Sequence, residues 1–392
     1  MNPFIKGVPF GRRSPLQWGP FFTPKHIIWQ RPEWPEFHWD DNRLITILAA
    51  TRLKQGRLLG RMAMLGFELR QHANFAVLTE DALKSSEIEG EMLARSSVRS
   101  SLARRLGLPD AAASAPDRRT DGVVEMLLDA TRNLDLPLSR ERLFGWQAAL
   151  FPTGYSGTSR VAVGRWRDDA DGPMQVVSGA VGRQKVHFEA VPAAMIESEM
   201  ARFLAWFNAA PSLDGLLRAG LAHLWFVTIH PFDDGNGRVA RAIADLALAQ
   251  SEGEALRFYS LSAQIRRQRA GYYEILERTQ RGTLDATAWM IWFLECLGRA
   301  IDGADELIAH VLDKARFWQA HGDKTFSERQ RLVLNRVLDG FEGKLTAKKW
   351  SILAKVSIAT AQRDINDLVE RGILERGPAG SKNTSYEVVS LG

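Results

Sequence analysis

Twelve consecutive residues, His230-Pro231-Phe232-Asp233-Asp234-Gly235-Asn236-Gly237-Arg238-Val239-Ala240-Arg241, restrict what this chain can fold into more than any other stretch. Before them Leu217, Leu221, Leu224 and Trp225 recur at three- and four-residue spacing, and after them Val239, Ile243 and Leu246 do the same. Apolar positions at that spacing share one face of a helix, so the dodecamer is a junction where one buried helix ends and another begins. The second helix is predicted to start near Arg238, which points its unpaired backbone N–H groups and positive dipole end into a loop holding Gly235, Asn236 and Gly237. Glycines there let the backbone approach anionic oxygens closely, and Arg238 and Arg241, three residues apart on one helical face, add two guanidinium forks. Asp234 is a hard oxygen ligand of the kind Mg²⁺ accepts while phosphate oxygens fill its other positions, and an oxygen-only site accepts Mn²⁺ as well. His230 has an unperturbed pKa of roughly 6.5, so much of it is a neutral base near pH 7. Together these parts describe a phosphoryl- or nucleotidyl-transfer site. Taken singly each has a plainer reading: Asn-Gly is a turn signal, Arg241 could pair with Asp245 one helical turn on, and a histidine at a helix end is often structural.

Composition narrows the class around that junction. At 392 residues the chain has room for two or three domains, and 45% apolar with 25% charged residues is ordinary for a water-soluble protein. A formal charge of +5 does not by itself imply nucleic acid. Cys296 is the only cysteine, which excludes an internal disulfide and a cysteine metal cluster. No run of about 18 apolar residues spans a bilayer, and the N-terminus lacks the apolar core of a secretory signal, so the expected location is cytoplasmic and no membrane partner is expected.

The dodecamer resembles the signature of the Fic family, His-Pro-Phe-x-Asp/Glu-Gly-Asn-Gly-Arg-x-x-Arg, and matches it at every specified position. The resemblance implies a mainly α fold, a Fic helical core with a β-hairpin flap, over roughly residues 27–315. It implies an adenylyltransferase that moves AMP from ATP to a Ser, Thr or Tyr hydroxyl of a target protein or of itself. His230 would be the catalytic base, Asp234 the metal ligand, and Gly235, Asn236, Gly237, Arg238 and Arg241 the phosphate-binding residues. Some relatives instead remove AMP from modified protein, a few transfer other phosphate-linked groups, and many form homodimers.

In chain order, residues 1–39 are rich in Pro, Phe and Trp, with Trp29, Trp34 and Trp39 spaced at five, and should lie extended as a packing arm. From Asp41 to Leu69 the pattern predicts a long helix or a helix pair broken near Gly56 and Gly60. A Trp/Pro-rich opening followed by a helix looks like the N-terminal extension of one Fic branch. Next comes Ser85-Ser86-Glu87-Ile88-Glu89-Gly90. Ser86-x-x-Glu89 has the form of a capping box that begins a helix. The resemblance offers another reading, because Ser85-x-x-x-Glu89-Gly90 matches the family's inhibitory pattern, in which the Glu pairs with the second arginine, here Arg241. Residues 1–104 are therefore expected to be an N-terminal helical region carrying the inhibitory segment 85–90.

Residues 105–315 are expected to form the catalytic core. Arg105 to Gly122 reads as a loop, with helices at about 122–133 and, capped by Ser139, at about 140–150. Strand pieces Gln175-Val176-Val177 and Lys185-Val186-His187-Phe188 make a hairpin candidate at about 174–188. In the family such a flap, here Val176, Val177 and Ser178, lies over the nucleotide and adds the target's backbone as a strand. The plainer reading is a surface hairpin with His187 exposed. Helices are predicted at about 193–209, 213–229 and from the dodecamer to about 250. Tyr272, Tyr273 and Gln280 share an amphipathic helix, and the resemblance places them at the adenine pocket. The helix around Trp289, Trp292 and Phe293 reads as structural.

Residues 327–392 form a separate unit: three helices beginning near Ser327, Leu345 and Ser357, then two strands around Gly377–Asn383. This resembles a winged helix-turn-helix. Its eleven basic against eight acidic residues, a balance of +3, favour protein contact or dimer support over DNA as its partner.

Overall fold

The computed structural model describes residues 27–108, 117–170, 172–178, 185–210, 212–338, 343–377 and 384–389. Expectations for residues 1–26, residues 109–116 of the 105–122 loop, the flap turn and the tip between the last two strands therefore lie outside the described residues. The chain divides into two compact units, Met1–Leu65 with Asn74–Ala304, and Gly66–Ala73 with Asp305–Gly392.

Helix α1 (Asp41–Ala63) starts where the Asp40 side chain accepts from the backbone N–H groups of Asn42 and Arg43. It runs through Gly56 and Gly60 without a break, the long-helix alternative of the two the sequence left open. Burial of Leu44, Leu58 and Met62 along one side supplies the packing that outweighs the low helix propensity of glycine. Helix α2 (Phe67–Ile88) ends at the segment where a capping box was expected to begin a helix. Ser86 and Glu89 lie at its C-terminus instead: the N–H groups of Glu89 and Glu91 both donate to the Ser86 carbonyl, and the chain turns at Gly90. Helix α3 (Arg95–Leu106) had no counterpart in the sequence reading, and α4 (Arg118–Arg132), capped by Asp117, begins earlier than expected. Helix α5 (Arg140–Leu150) is capped by Ser139, which accepts from the Arg142 N–H.

Two short ribbons follow. Strands β1 (Tyr155–Ser156) and β2 (Ser159–Arg160) form a tight turn, and β3 (Gln175–Ser178) pairs antiparallel with β4 (Lys185–Glu189). Val176 faces Phe188 and Val177 faces Val186, so His187 is the extra residue of a bulge. Bulges re-aim side chains, and this one turns His187 inward rather than to solvent. The N-terminal arm covers the ribbon: Ile27 packs with Phe188 and Ala190, and the Trp29 indole donates to the Glu189 carbonyl at 2.8 Å. The Trp34 indole donates to Glu199 at 2.8 Å.

The centre of this unit is the pair α7 (Gly215–Ile229) and α8 (Asn236–Glu252), preceded by α6 (Ala193–Asn208). Every α7 residue from Leu216 to Ile229 is buried, which explains why its sequence is apolar nearly all round. Phe203 and Trp34 pack edge to face on Trp225 of α7, and Trp206 packs tilted on it. Helices α9 (Leu261–Arg267), α10 (Arg269–Gln280) and α11 (Thr287–Ala320) follow.

In the other unit, α12 (Glu328–Leu338) opens on a reciprocal box, with Ser327 Oγ accepting from the Gln330 N–H and Gln330 Oε1 from the Ser327 N–H. Helices α13 (Ala347–Ala354) and α14 (Ile358–Glu370) are joined by a short turn through Lys355. Strands β5 (Leu374–Arg376) and β6 (Tyr386–Val388) pair antiparallel, and Trp350, Val333, Leu334, Ile365 and Leu368 form the core.

Candidate active site

The loop between α7 and α8 is built by its own side chains. Asn236 uses both ends of its amide on Phe232: Oδ1 accepts from the Phe232 N–H at 3.0 Å and Nδ2 donates to its carbonyl at 2.7 Å. Its side chain therefore closes the loop, and the first backbone N–H groups of α8 are what face the anion side. Gly235 precedes α8 with φ +90, a conformation that only glycine adopts without strain. Asp234 Oδ1 accepts from the Gly235 N–H at 2.6 Å, and Asp233 holds the Ala162 N–H at 2.8 Å.

His230 ends α7 in the left-handed region, φ 54 and ψ 58. For a residue with a Cβ this costs on the order of 1–2 kcal/mol. Its Nδ1 lies 3.2 Å from the Val227 carbonyl, which can only accept, so Nδ1 carries the hydrogen and Nε2 the lone pair. Burial, and then the Arg167 guanidinium, push its pKa down to about 4, which keeps the ring neutral at pH 7.

A cavity of about 640 Å³ adjoins the loop, with His230, Asp234, Gly235, Asn236, Gly237 and Arg238 on its wall. Its other side carries Glu89, Gly90 and Glu91. The Glu89 carboxylate is 2.9 Å from Arg241, and a Cβ placed on Gly237 would lie 2.2 Å from Glu89 Oε1. Glu89 thus sits against the N-terminus of α8, where an anion is stabilised. Arg241, 1% exposed, also donates from Nε to Ser85 Oγ at 3.0 Å and from Nη2 to the Ser85 carbonyl at 2.9 Å. The alternative partner Asp245 is occupied by Arg257, at 3.0 Å. Sequence reasoning missed Glu91, which lies just past the Gly90 turn and accepts from Arg238 at 2.6 Å. Both arginines of the dodecamer are therefore paired with carboxylates from the end of α2.

Val176 and Val177 of β3 and Tyr272, Tyr273 and Gln280 of α10 line the same cavity. The Tyr272 hydroxyl is 2.9 Å from His223 Nε2, and Gln280 donates to Thr228 Oγ1 at 3.2 Å. Ser178 turns to His187, Oγ to Nε2 2.5 Å, and His187 Nδ1 is 2.6 Å from Glu277 Oε2. His187, 9% exposed, is thus a buried tie between ribbon and α10, not the exposed strand residue of the plainer reading.

No three His, Cys, Asp or Glu side chains among the described residues gather as a metal-binding group. Asp234 is a single carboxylate facing the cavity, a donor set suited to an ion completed by phosphate and water oxygens.

A helical core here places a histidine, a helix N-terminus and two arginines around one cavity, an arrangement that suits an anionic group. Residues 137–248 match the Fic/DOC family, and residues 27–108 match a domain of unknown function, DUF4172. The protein adenylyltransferase Fic of Culex quinquefasciatus is 30% identical over 105 residues, covering 26% of this chain and 19% of the relative. Protein adenylyltransferase fic-1 of Caenorhabditis briggsae is 35% identical over 66 residues, 16% of this chain and 13% of the relative. The chain thus spans a fifth or less of these relatives. Among solved structures, a Fic family protein from Desulfovibrio desulfuricans G20 has a similar fold, with a TM-score of 0.51 at 20% identity, over 91% of this chain and 98% of that one. No helix among the described residues is long and apolar enough to cross a membrane.

Proposed function

We propose that the chain is a self-inhibited protein adenylyltransferase that transfers AMP from ATP to a hydroxyl side chain of a target protein or of itself. The observation that carries this reading is the position of Glu89: one carboxylate on Arg241 and against the N-terminus of α8, on the wall of the cavity that holds His230. An acidic group in that position occupies the place of a phosphate.

In the reaction the acceptor hydroxyl oxygen attacks the α-phosphorus as its proton passes to His230 Nε2. The bond from the α-phosphorus to the bridging oxygen breaks, and pyrophosphate leaves with the electron pair. The N–H groups of Gly237 and Arg238 at the start of α8 cradle the α-phosphate, while the Arg238 and Arg241 guanidinium groups take the charge on the pyrophosphate. Asp234 would hold Mg²⁺ or Mn²⁺, which neutralises phosphate charge when bound. Tyr272, Tyr273 and Gln280 would border the base, and Val176 to Ser178 would guide the target's backbone. Glu89 must leave Arg241 before a triphosphate fits; until then Ser85 holds the Arg241 guanidinium and the Gly90 turn follows Glu89. Residues 327–392 are read as a winged helix-turn-helix that contacts protein or supports a homodimer.

The test is transfer of label from ATP to protein in lysate, with ³²P at either the α- or the γ-position. Label from the α-position alone supports AMP transfer, and label from the γ-position would make the reaction phosphorylation. The cavity-facing carboxylate of Glu89 also suits a second reading, removal of AMP by an oriented water. Release of AMP from modified protein, blocked in Glu89→Ala, would favour it.

A further inference from the structure

We propose that Arg167 is a positioning residue that holds His230 in its working conformation; this rests on the reading of His230 as the base. Arg167 lies 63 residues before His230, its side chain is 0% exposed, and it reaches the dodecamer twice. Its Nε donates to the His230 carbonyl at 2.8 Å and its backbone N–H to the Pro231 carbonyl at 2.9 Å. The rest of the guanidinium is anchored away from the loop. Nη1 is 2.7 Å from Asp169, whose other oxygen accepts from the Ala193 N–H at 2.6 Å, and Nη2 donates to the Val191 carbonyl. The segment that carries Arg167 is itself fixed, because Asp233 accepts from the Ala162 N–H and Gln147 from the Gly164 N–H, each at 2.8 Å.

Two consecutive carbonyls, those of His230 and Pro231, are thereby pinned at the point where α7 stops. With its backbone left-handed, His230 ends α7 and stands on the cavity wall while Nδ1 stays on Val227. A residue released from Arg167 would relax out of the left-handed region to the extended backbone that a residue before proline prefers, since Pro231 bars the right-handed alternative. The ring would then leave Val227, and the Nε2 lone pair would no longer be enforced. Asp169 and the Val191 carbonyl bind Arg167 but never touch the histidine, so they act as its anchors.

The test compares Arg167→Lys and the charge-balanced Arg167→Met/Asp169→Asn in the Glu89→Gly protein. Three quantities are read: the tautomer of His230 by ¹⁵N-histidine spectra assigned with His230→Ala, ATP affinity by calorimetry, and kcat for AMP transfer. The double variant should convert His230 from the Nδ1–H to the Nε2–H tautomer or a mixture. It should lower kcat on the order of 10²-fold, as expected for a misplaced reacting group, with ATP affinity unchanged. Arg167→Lys, which keeps the charge and one donor, should fall between. An unchanged His230 tautomer overturns the proposal even if kcat falls, because a structural role alone would give that result. If the Glu89→Gly protein transfers no AMP, the proposed reaction fails, and the tautomer still decides the role of Arg167.

Discussion

At the scale of single residues, His230 and the acids at the end of α2 carry opposite predictions. His230→Ala should lower transfer about 10²–10⁴-fold, the usual size of general-base help, while calorimetry finds nucleotide binding intact. Loss of binding would make His230 a structural residue. Glu91→Gln leaves Arg238 a neutral partner in place of a carboxylate, so it should lower the KM for ATP severalfold with little change in kcat; an unchanged KM would remove Glu91 from the restraint. The residues of the dodecamer stood out in sequence because their chemistry is packed into twelve adjacent positions, and Ser85 and Glu89 only through the resemblance, since their local pattern reads as a capping box. Glu91, Arg167 and Glu277 were not legible. Their partners lie 147, 63 and 90 residues away, and nothing local marks them. The expectation for Asn236 was a phosphate contact, and its side chain instead closes the loop, a role only the three-dimensional turn displays.

At the scale of elements, the seam between α2 and α8 is a buried polar ladder. Ser85 and Glu89 meet Arg241, and one turn further down Asp81 and Asp245 share Arg257. Burial first, and the Asp245 charge second, push the Asp81 carboxyl up to about 7. The unfolded chain has it near 3.9, so between these values the folded state binds the extra proton. Stability from this group is therefore fully present below about pH 4 and is lost as pH rises through about 7. The wild type should lose Tm between about pH 4 and 7 relative to Asp81→Asn, as followed by thermal unfolding, and run parallel to it above that; parallel slopes throughout would contradict this. The sequence located most helices because their apolar faces repeat. It missed α3, whose buried apolar residues are Val98, Leu102 and Ala103 among many Arg and Ser, and it left open a break in α1 that tertiary packing rules out. The segment Ser86–Glu89 looked like a helix start because Ser-x-x-Glu is a local pattern, whereas the end of α2 depends on the Gly90 turn.

At the scale of the whole molecule, two compact units accompany two kinds of chemistry: a cavity with paired charges in one, and a small helical core with a strand pair in the other. The +3 balance of residues 327–392 is too small for strong phosphate-backbone attraction. The full chain should leave DNA unretarded at roughly 0.15 M salt; a salt-dependent shift abolished by Arg363→Ala would assign this unit to DNA. The central claim is AMP transfer restrained by Glu89, and one comparison tests it most directly. Wild type, Glu89→Gly and Glu89→Gly/His230→Ala are incubated with Mg²⁺ and α-labelled ATP, and initial rates of protein labelling are read. Glu89→Gly should exceed wild type on the order of 10- to 100-fold, the factor for losing a charge-assisted contact of roughly 1.5–3 kcal/mol, and the double variant should be silent. Equal rates in wild type and Glu89→Gly at saturating ATP, or undiminished labelling in the double variant, would contradict the account.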